Sequence, residues 1–284
     1  MESVFVVGGA GYMGRGIVQA CAQAGYTVLI NDPDEGLIQK SMAEIEWSLK
    51  KLESKNLLKE STQTVLDRIR PEKQLTAAGS ADWIIETVTE KEELKRSIFK
   101  QLDSIVPPEK PLATNTSTIP ISRLAEATMH PERVVGIHFF NPIALMGLIE
   151  IIKGEKTTTA IFDRAADFAI SLGKRPVRVY KDIPGFVFNR IWAATIREAV
   201  DLVADGIVTA EDVDFGMCAG FGWKCGPFAM ADEAGVDTYA NAANSLKILG
   251  EEGLAPRSSL LDDMVKQGRL GKKAGRGFYD YNRK

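Results

Sequence analysis

Histidine occurs only twice in these 284 residues, and cysteine only three times. That scarcity argues against a zinc centre, which draws its ligands from clustered Cys and His. Cys21, Cys218 and Cys225 form no CxxC, and their odd count fits buried thiols in a reducing compartment better than a disulfide framework. An excess of one charge is also missing. Thirty-five Lys and Arg stand against 38 Asp and Glu, a net charge of −3, far from the basic surplus of a nucleic-acid binder. No apolar run approaches the roughly 18 residues of a membrane span. The opening "MESVFVVGG" enters a strand-like run at once, without the basic region and apolar core of a signal peptide. Repeats and low-complexity tracts are absent. These gaps leave a cytoplasmic globular protein with no metal, no membrane and no nucleic acid as the expectation.

What is present is an alternating rhythm. Strand-like runs fall at 3–8, 27–32, 83–88, 111–116, 133–140, 148–152 and 176–181, with helix-length runs at 13–24, 91–105 and 158–172 between several of them. Such alternation predicts a mostly parallel sheet covered on both faces. In the segment 34–58, Ile38, Met42, Ile45, Leu49 and Leu52 step by four and three, which predicts one apolar face of a long helix. Lys51, Lys55 and Lys59 lie on another face. The rhythm changes at Pro184-Gly185, after which only helical runs follow: 187–204, 209–219, 227–249 (broken near Gly235) and 258–267. The predicted architecture is α/β, a Rossmann-type domain over 1–183 followed by an all-α domain over 184–284.

"VFVVGGAGYMG" places Gly9, Gly11 and Gly14 in a GxGxxG pattern. The pattern follows an apolar strand and opens a helix, and the next strand ends in Asn31-Asp32, an acid about 20 residues on, as a dinucleotide site requires. Gly9 is expected to allow the tight turn, Gly11 to admit a pyrophosphate, and Gly14 to pack the helix on the sheet. The helix N-terminus offers free N–H groups to phosphate. Asp32 would bond the ribose hydroxyls and repel a 2′-phosphate, which selects NAD over NADP.

Moving a hydride from an alcohol to NAD needs a base for the hydroxyl proton, and histidine does this best near neutral pH. His130 in "TMHPERV" reads as a surface turn. His138 ends a strand-like run, where ligands gather in open α/β sheets. A lone histidine on an apolar strand is more often a satisfied core residue. Glu150 weighs against that, because "LIEII" can lie beside the first run and aim its carboxylate at the imidazole. A buried acid needs a partner, and an acid beside histidine fixes its tautomer.

"GAGYMG", "IIETVTEK", "NTST", "GIHFFNP", "LIEII", "DIPGFVFNR", "GPFAMAD" and "GKKAGRGFYDY" occur here in the order found in L-3-hydroxyacyl-CoA dehydrogenases. The chain resembles that family over nearly its whole length, most of all the stand-alone 3-hydroxybutyryl-CoA type. The resemblance implies NAD-linked oxidation of a 3-hydroxyacyl-CoA to the 3-ketoacyl-CoA, or the reverse, by a homodimer joined through the helical domain. It implies His138 as general base, Glu150 as its orienter, and Ser117 and Asn189 as donors to the substrate oxygens. Glu90, Lys95, Asn141 and Lys273 resemble positions on the nicotinamide side of the NAD site. Ser48 and Lys55 resemble the contacts to coenzyme A. From the residues alone, Ser117 reads equally as a helix cap, Asn189 as an ordinary polar residue in a first helical turn, and Glu90 and Lys95 as solvated helix charges.

Gly147 stands where the family often has a basic residue, and Trp223 and Cys225 where smaller or different residues are common. These departures bear on acyl length. Two other functions remain open: a dehydrogenase of a free hydroxy acid, as in gulonate- or carnitine-type relatives, and an NAD-binding structural protein like the crystallins recruited from this family. The first group tends to have proline as the first residue after the catalytic histidine, against "HFFNP" here. The second predicts a broken catalytic set, whereas Ser117, His138, Glu150 and Asn189 are all present.

Overall fold

The computed structural model describes residues 2–282. Between Ile183 and Pro184 the chain divides into two compact units. The first contains, in order, β1 (Ser3–Val7), α1 (Tyr12–Gln23), β2 (Thr27–Asn31), α2 (Glu35–Glu53), α3 (Thr62–Leu66), β3 (Ile69–Glu72), β4 (Trp83–Glu86), α4 (Glu92–Ile105), β5 (Leu112–Thr114), α5 (Ile121–Ala125), β6 (Val134–Phe139), β7 (Leu148–Ile152), α6 (Thr159–Ser171) and β8 (Arg175–Val179). All eight strands join one sheet in the order β3-β2-β1-β4-β5-β6-β7-β8.

The first six strands in that order pair in parallel, in the Rossmann arrangement. Every residue of β4, β5 and β6 is buried, which identifies strands covered on both faces. Strand β7 runs antiparallel to β6, and β8 runs parallel to β7. The core of this unit includes Val6, Ile17, Ile30, Ile85, Val135 and Ile151.

Strand β3 has no counterpart in the sequence reading. Its residues are Ile-Arg-Pro-Glu, and a proline argues against a strand. The edge position explains it: β3 pairs only with β2, so the missing N–H of Pro71 costs no ladder bond on its open side. The long helix covers the whole apolar series from Ile38 to Leu52 and ends before the close of the 34–58 segment. Asp34 caps α2 by accepting from the Leu37 N–H, and the helix ends at Glu53, before a turn in which Asn56 has φ 56°. Lys55 and Lys59 therefore lie beyond the helix.

The second unit contains α7 (Phe188–Ala204), α8 (Ala210–Phe221), α9 (Pro227–Ala234), α10 (Val236–Ile248) and α11 (Leu260–Lys266). Gly226 precedes Pro227, which takes the first helical position where it loses no bond. Gly235 separates α9 from α10 with φ 101°. Ile196, Val200, Phe228, Val236 and Met264 fill this unit's core. Among the described residues no helix is long and apolar enough to cross a membrane.

Candidate active site

The glycine loop joins β1 to α1. The left-handed turn falls on Gly8, with φ 72°, and not on Gly9 as the motif alone implied. Gly9 is needed for space: a Cβ there would stand 2.9 Å from the Ile30 side chain and from the Val6 carbonyl. Gly14 is tighter still, since its Cβ would meet the Gly8 carbonyl and the Gly9 Cα at under 3 Å, so α1 packs directly on the loop. At Gly11 a Cβ would meet only the Gly8 carbonyl, at 3.2 Å. The space beside Gly11 is thus left open by the protein. Gly11 also begins α1 with no side-chain cap, so the first-turn N–H groups are not taken by one. Asp32 follows the end of β2, is 8% exposed, and accepts from the Asp34 N–H at 3.1 Å.

His138 and Glu150 are direct cross-strand partners in the antiparallel β6–β7 pair. Directly opposite residues point to the same face, and here the imidazole Nδ1 lies 2.7 Å from Glu150 Oε2. Glu150 is fully buried and His138 is 5% exposed. A carboxylate at Nδ1 makes that nitrogen the donor and leaves the Nε2 lone pair outward. Ser117 Oγ lies 3.3 Å from Nε2. The Phe140 ring sits 4.7 Å from the imidazole, centroid to centroid.

Ser117 caps no helix. Its segment forms a turn, and α5 begins only at Ile121. The turn is held by Glu90, whose Oε1 accepts from Thr116 Oγ1 (2.6 Å), Ser117 N (2.8 Å), Thr118 N (3.0 Å) and Thr118 Oγ1 (3.2 Å). Burial works to raise the Glu90 pKa, but the Lys95 charge and these donors outweigh it and hold the carboxyl below its ordinary value. Lys95 is not a solvated helix charge: it is 1% exposed, with Nζ 2.8 Å from Glu86 Oε1, 3.1 Å from the Val88 carbonyl and 3.4 Å from Glu90 Oε2. Asn115 Oδ1 accepts the Phe139 N–H at 2.8 Å, joining this turn to the histidine strand. Sequence reasoning passed over Glu86, Asn115, Thr114 and Thr116. The cue it had was "IIETV", an acid at the end of an otherwise apolar strand.

Asn141 Nδ2 donates to the Tyr12 hydroxyl at 2.7 Å, which brings the "HFFNP" segment to the start of α1. Ser48 lies half-buried on α2, and Lys55 is exposed in the turn after it. Asn189 is the second residue of α7. Lys273 Nζ pairs with Asp237 at 2.8 Å within the helical unit. A side chain at Gly147 would meet nothing within 4 Å, so packing does not force glycine there. Trp223 lies 6.2 Å from Trp192, ring to ring. Burial and neighbouring acids push the Cys225 thiol up, away from a reactive thiolate. Among the described residues, no group of three or more His, Cys, Asp or Glu is placed to hold a metal ion.

A family model described as 3-hydroxyacyl-CoA dehydrogenase, NAD binding domain, matches residues 3–183, and the companion model for the C-terminal domain matches residues 185–281. The chain belongs to the 3-hydroxyacyl-CoA dehydrogenase family. NAD is accordingly the dinucleotide of this dehydrogenase. It is 41% identical over 278 residues to a 3-hydroxybutyryl-CoA dehydrogenase of Bradyrhizobium diazoefficiens, covering 96% of this chain and 93% of the relative. It is 36% identical over 289 residues to the human mitochondrial hydroxyacyl-coenzyme A dehydrogenase, covering 99% and 91%. Among solved structures, the (S)-3-hydroxybutyryl-CoA dehydrogenase PaaH1 from Ralstonia eutropha aligns with a TM-score of 0.92 at 38% identity, covering 99% of each chain.

Proposed function

We propose that this dehydrogenase oxidises short-chain (S)-3-hydroxyacyl-CoA, such as 3-hydroxybutyryl-CoA, to the 3-ketoacyl-CoA and runs the reverse, with His138 as general base. The observation that carries the reading is the imidazole held between two partners, Glu150 at Nδ1 and Ser117 Oγ near Nε2. The relatives named 3-hydroxybutyryl-CoA dehydrogenase, matched over the whole chain, support the substrate class.

The residues present fit NAD. The open side of Gly11 and the uncapped first turn of α1 would receive the pyrophosphate, and Asp32 the adenosine ribose hydroxyls. Glu90, Lys95, Asn141 and Lys273 are assigned to the nicotinamide side by family resemblance. When bound there, NAD would supply the hydride acceptor for the substrate's carbinol carbon.

The chain itself handles the proton and the charge. His138 Nε2 takes the proton of the substrate hydroxyl, and Glu150 stabilises the resulting imidazolium through Nδ1–H. Ser117 Oγ holds a substrate oxygen as charge develops on it, and family resemblance gives the Asn189 amide the same kind of role. Ser48 and Lys55 would hold coenzyme A, the lysine as a point charge toward phosphate.

The test is to mix purified protein with acetoacetyl-CoA and NADH and follow NADH absorbance. Turnover is expected, and NADPH should be used far more slowly because Asp32 repels its 2′-phosphate. Turnover of free acetoacetate without turnover of the thioester would reject the reading.

The quaternary state belongs to the same proposal: a homodimer through the helical unit, in the cytoplasm. Ile191, Ile207, Phe215, Phe221 and Ile248 are each at least 59% exposed in that unit. Light scattering should give twice the 31.1 kDa chain mass; a monomer would count against the interface.

A further inference from the structure

Glu86 is a fully buried carboxylate that takes no part in the steps above. Its bonds are complete. Oε1 accepts from Lys95 Nζ at 2.8 Å and from the Val88 N–H at 2.7 Å, and Oε2 accepts from Thr114 Oγ1 at 2.7 Å. An acid that only tied β4 to β5 would need the last of these alone.

The arrangement reaches the catalytic turn by two routes. On one side, Glu86 is the nearer of the two carboxylates around the buried Lys95 ammonium, 2.8 Å against 3.4 Å for Glu90. A buried ammonium keeps its charge only beside a close anion. That charge in turn faces Glu90, whose carboxylate grips Thr116, Ser117 and Thr118. On the other side, Thr114 donates to Glu86 and its Oγ1 accepts the Thr116 N–H at 3.2 Å. The Asn115 N–H completes the set by donating to the Glu86 carbonyl at 2.8 Å. Residues 115 to 118 are therefore each tied to Glu86, to Glu90 or to a side chain that one of them holds.

We propose that Glu86 is a positioning residue: through Lys95, Glu90 and Thr114 it fixes the 115–118 turn so that Ser117 Oγ stays against His138 Nε2. This rests on the dehydrogenase reading above. Misplacing a reacting group by about 1 Å costs on the order of a hundredfold in rate, even when the change lies away from the chemistry. Neutralising Glu86 removes the nearer anion and frees Lys95 to move toward Glu90. That shift changes how Glu90 grips the turn without removing any group that touches the reacting carbon.

Glu86→Gln keeps the shape and removes the charge. The experiment mixes enzyme loaded with one equivalent of NADH with excess acetoacetyl-CoA and records the single turnover of bound NADH, whose amplitude counts competent sites and whose rate constant reports their chemistry. The expected result is a rate constant about 10- to 100-fold lower, with near wild-type amplitude and an acetoacetyl-CoA concentration for half-maximal rate changed by less than about threefold. A purely structural role would instead lower the amplitude and leave the surviving sites at the wild-type rate. That result, or an unchanged rate constant, overturns the proposal and leaves the dehydrogenase reading intact. A wild-type enzyme that does not turn over acetoacetyl-CoA overturns both. If Glu86→Gln does not fold, Glu86→Asp draws the same charge back by one methylene and is expected to slow the single turnover in the same way.

Discussion

Replacing His138 by glutamine lowers kcat by about a hundred- to ten-thousandfold, the range that a positioned general base supplies. The change is nearly isosteric at a 5% exposed site, so packing in β6 is kept. Glutamine can still hydrogen-bond Glu150 and Ser117, but at neutral pH it neither takes nor gives a proton. The glycine loop and Asp32 are untouched, so NAD affinity should stay within about threefold of wild type. Measuring kcat for acetoacetyl-CoA reduction beside NADH binding by fluorescence separates the two. A variant that retains turnover would remove the imidazole from its proposed role.

Glu150→Gln should cost nearly as much, about a thousandfold or more in kcat, by analogy with orienting carboxylates in catalytic triads. The carboxylate can only accept, so Nδ1 must donate and Nε2 keeps its lone pair. An amide can turn its NH2 group toward Nδ1 and favour the opposite tautomer, which leaves Nε2 protonated and unable to act as base. It also withdraws the negative charge that supports the imidazolium. Steady-state rates for Glu150→Gln and Glu150→Ala decide the point. If both remain within threefold of wild type, the acid is a buried structural group and the base needs no orienter.

Much of this was legible in the chain because the signals were local. Strands such as "SVFVV" are nearly continuous apolar runs, and the GxGxxG loop carries its strand, helix and acid between Ser3 and Asp32. The His138–Glu150 pair was readable because both strands are short and apolar around one polar residue each. Other features escaped for physical reasons. Strand β3 has one buried apolar residue and a proline, tolerable only at an edge that sequence does not reveal. Lys95 and Glu90 have the composition of a solvated helix start, and only tertiary placement shows the lysine buried. Glu86 is silent in sequence because its partners lie 2, 9 and 28 residues away, on three different elements.

The antiparallel turn-back of β7 against β6 gives this protein a division of labour. The His138–Glu150 pair is fixed by strand register, and a slip of one residue would send Glu150 to the opposite face along with every apolar neighbour that anchors it. Of the residues between the two strands, Phe140 sits against the imidazole, Asn141 is bonded to Tyr12 and Ile143 is buried, whereas 144–147 are exposed. They include exposed Leu145 and Gly147, with open space around the glycine. Under the proposed reading, proton transfer is thus written into the ladder, and the exposed stretch 144–147 is the part that can change without disturbing it.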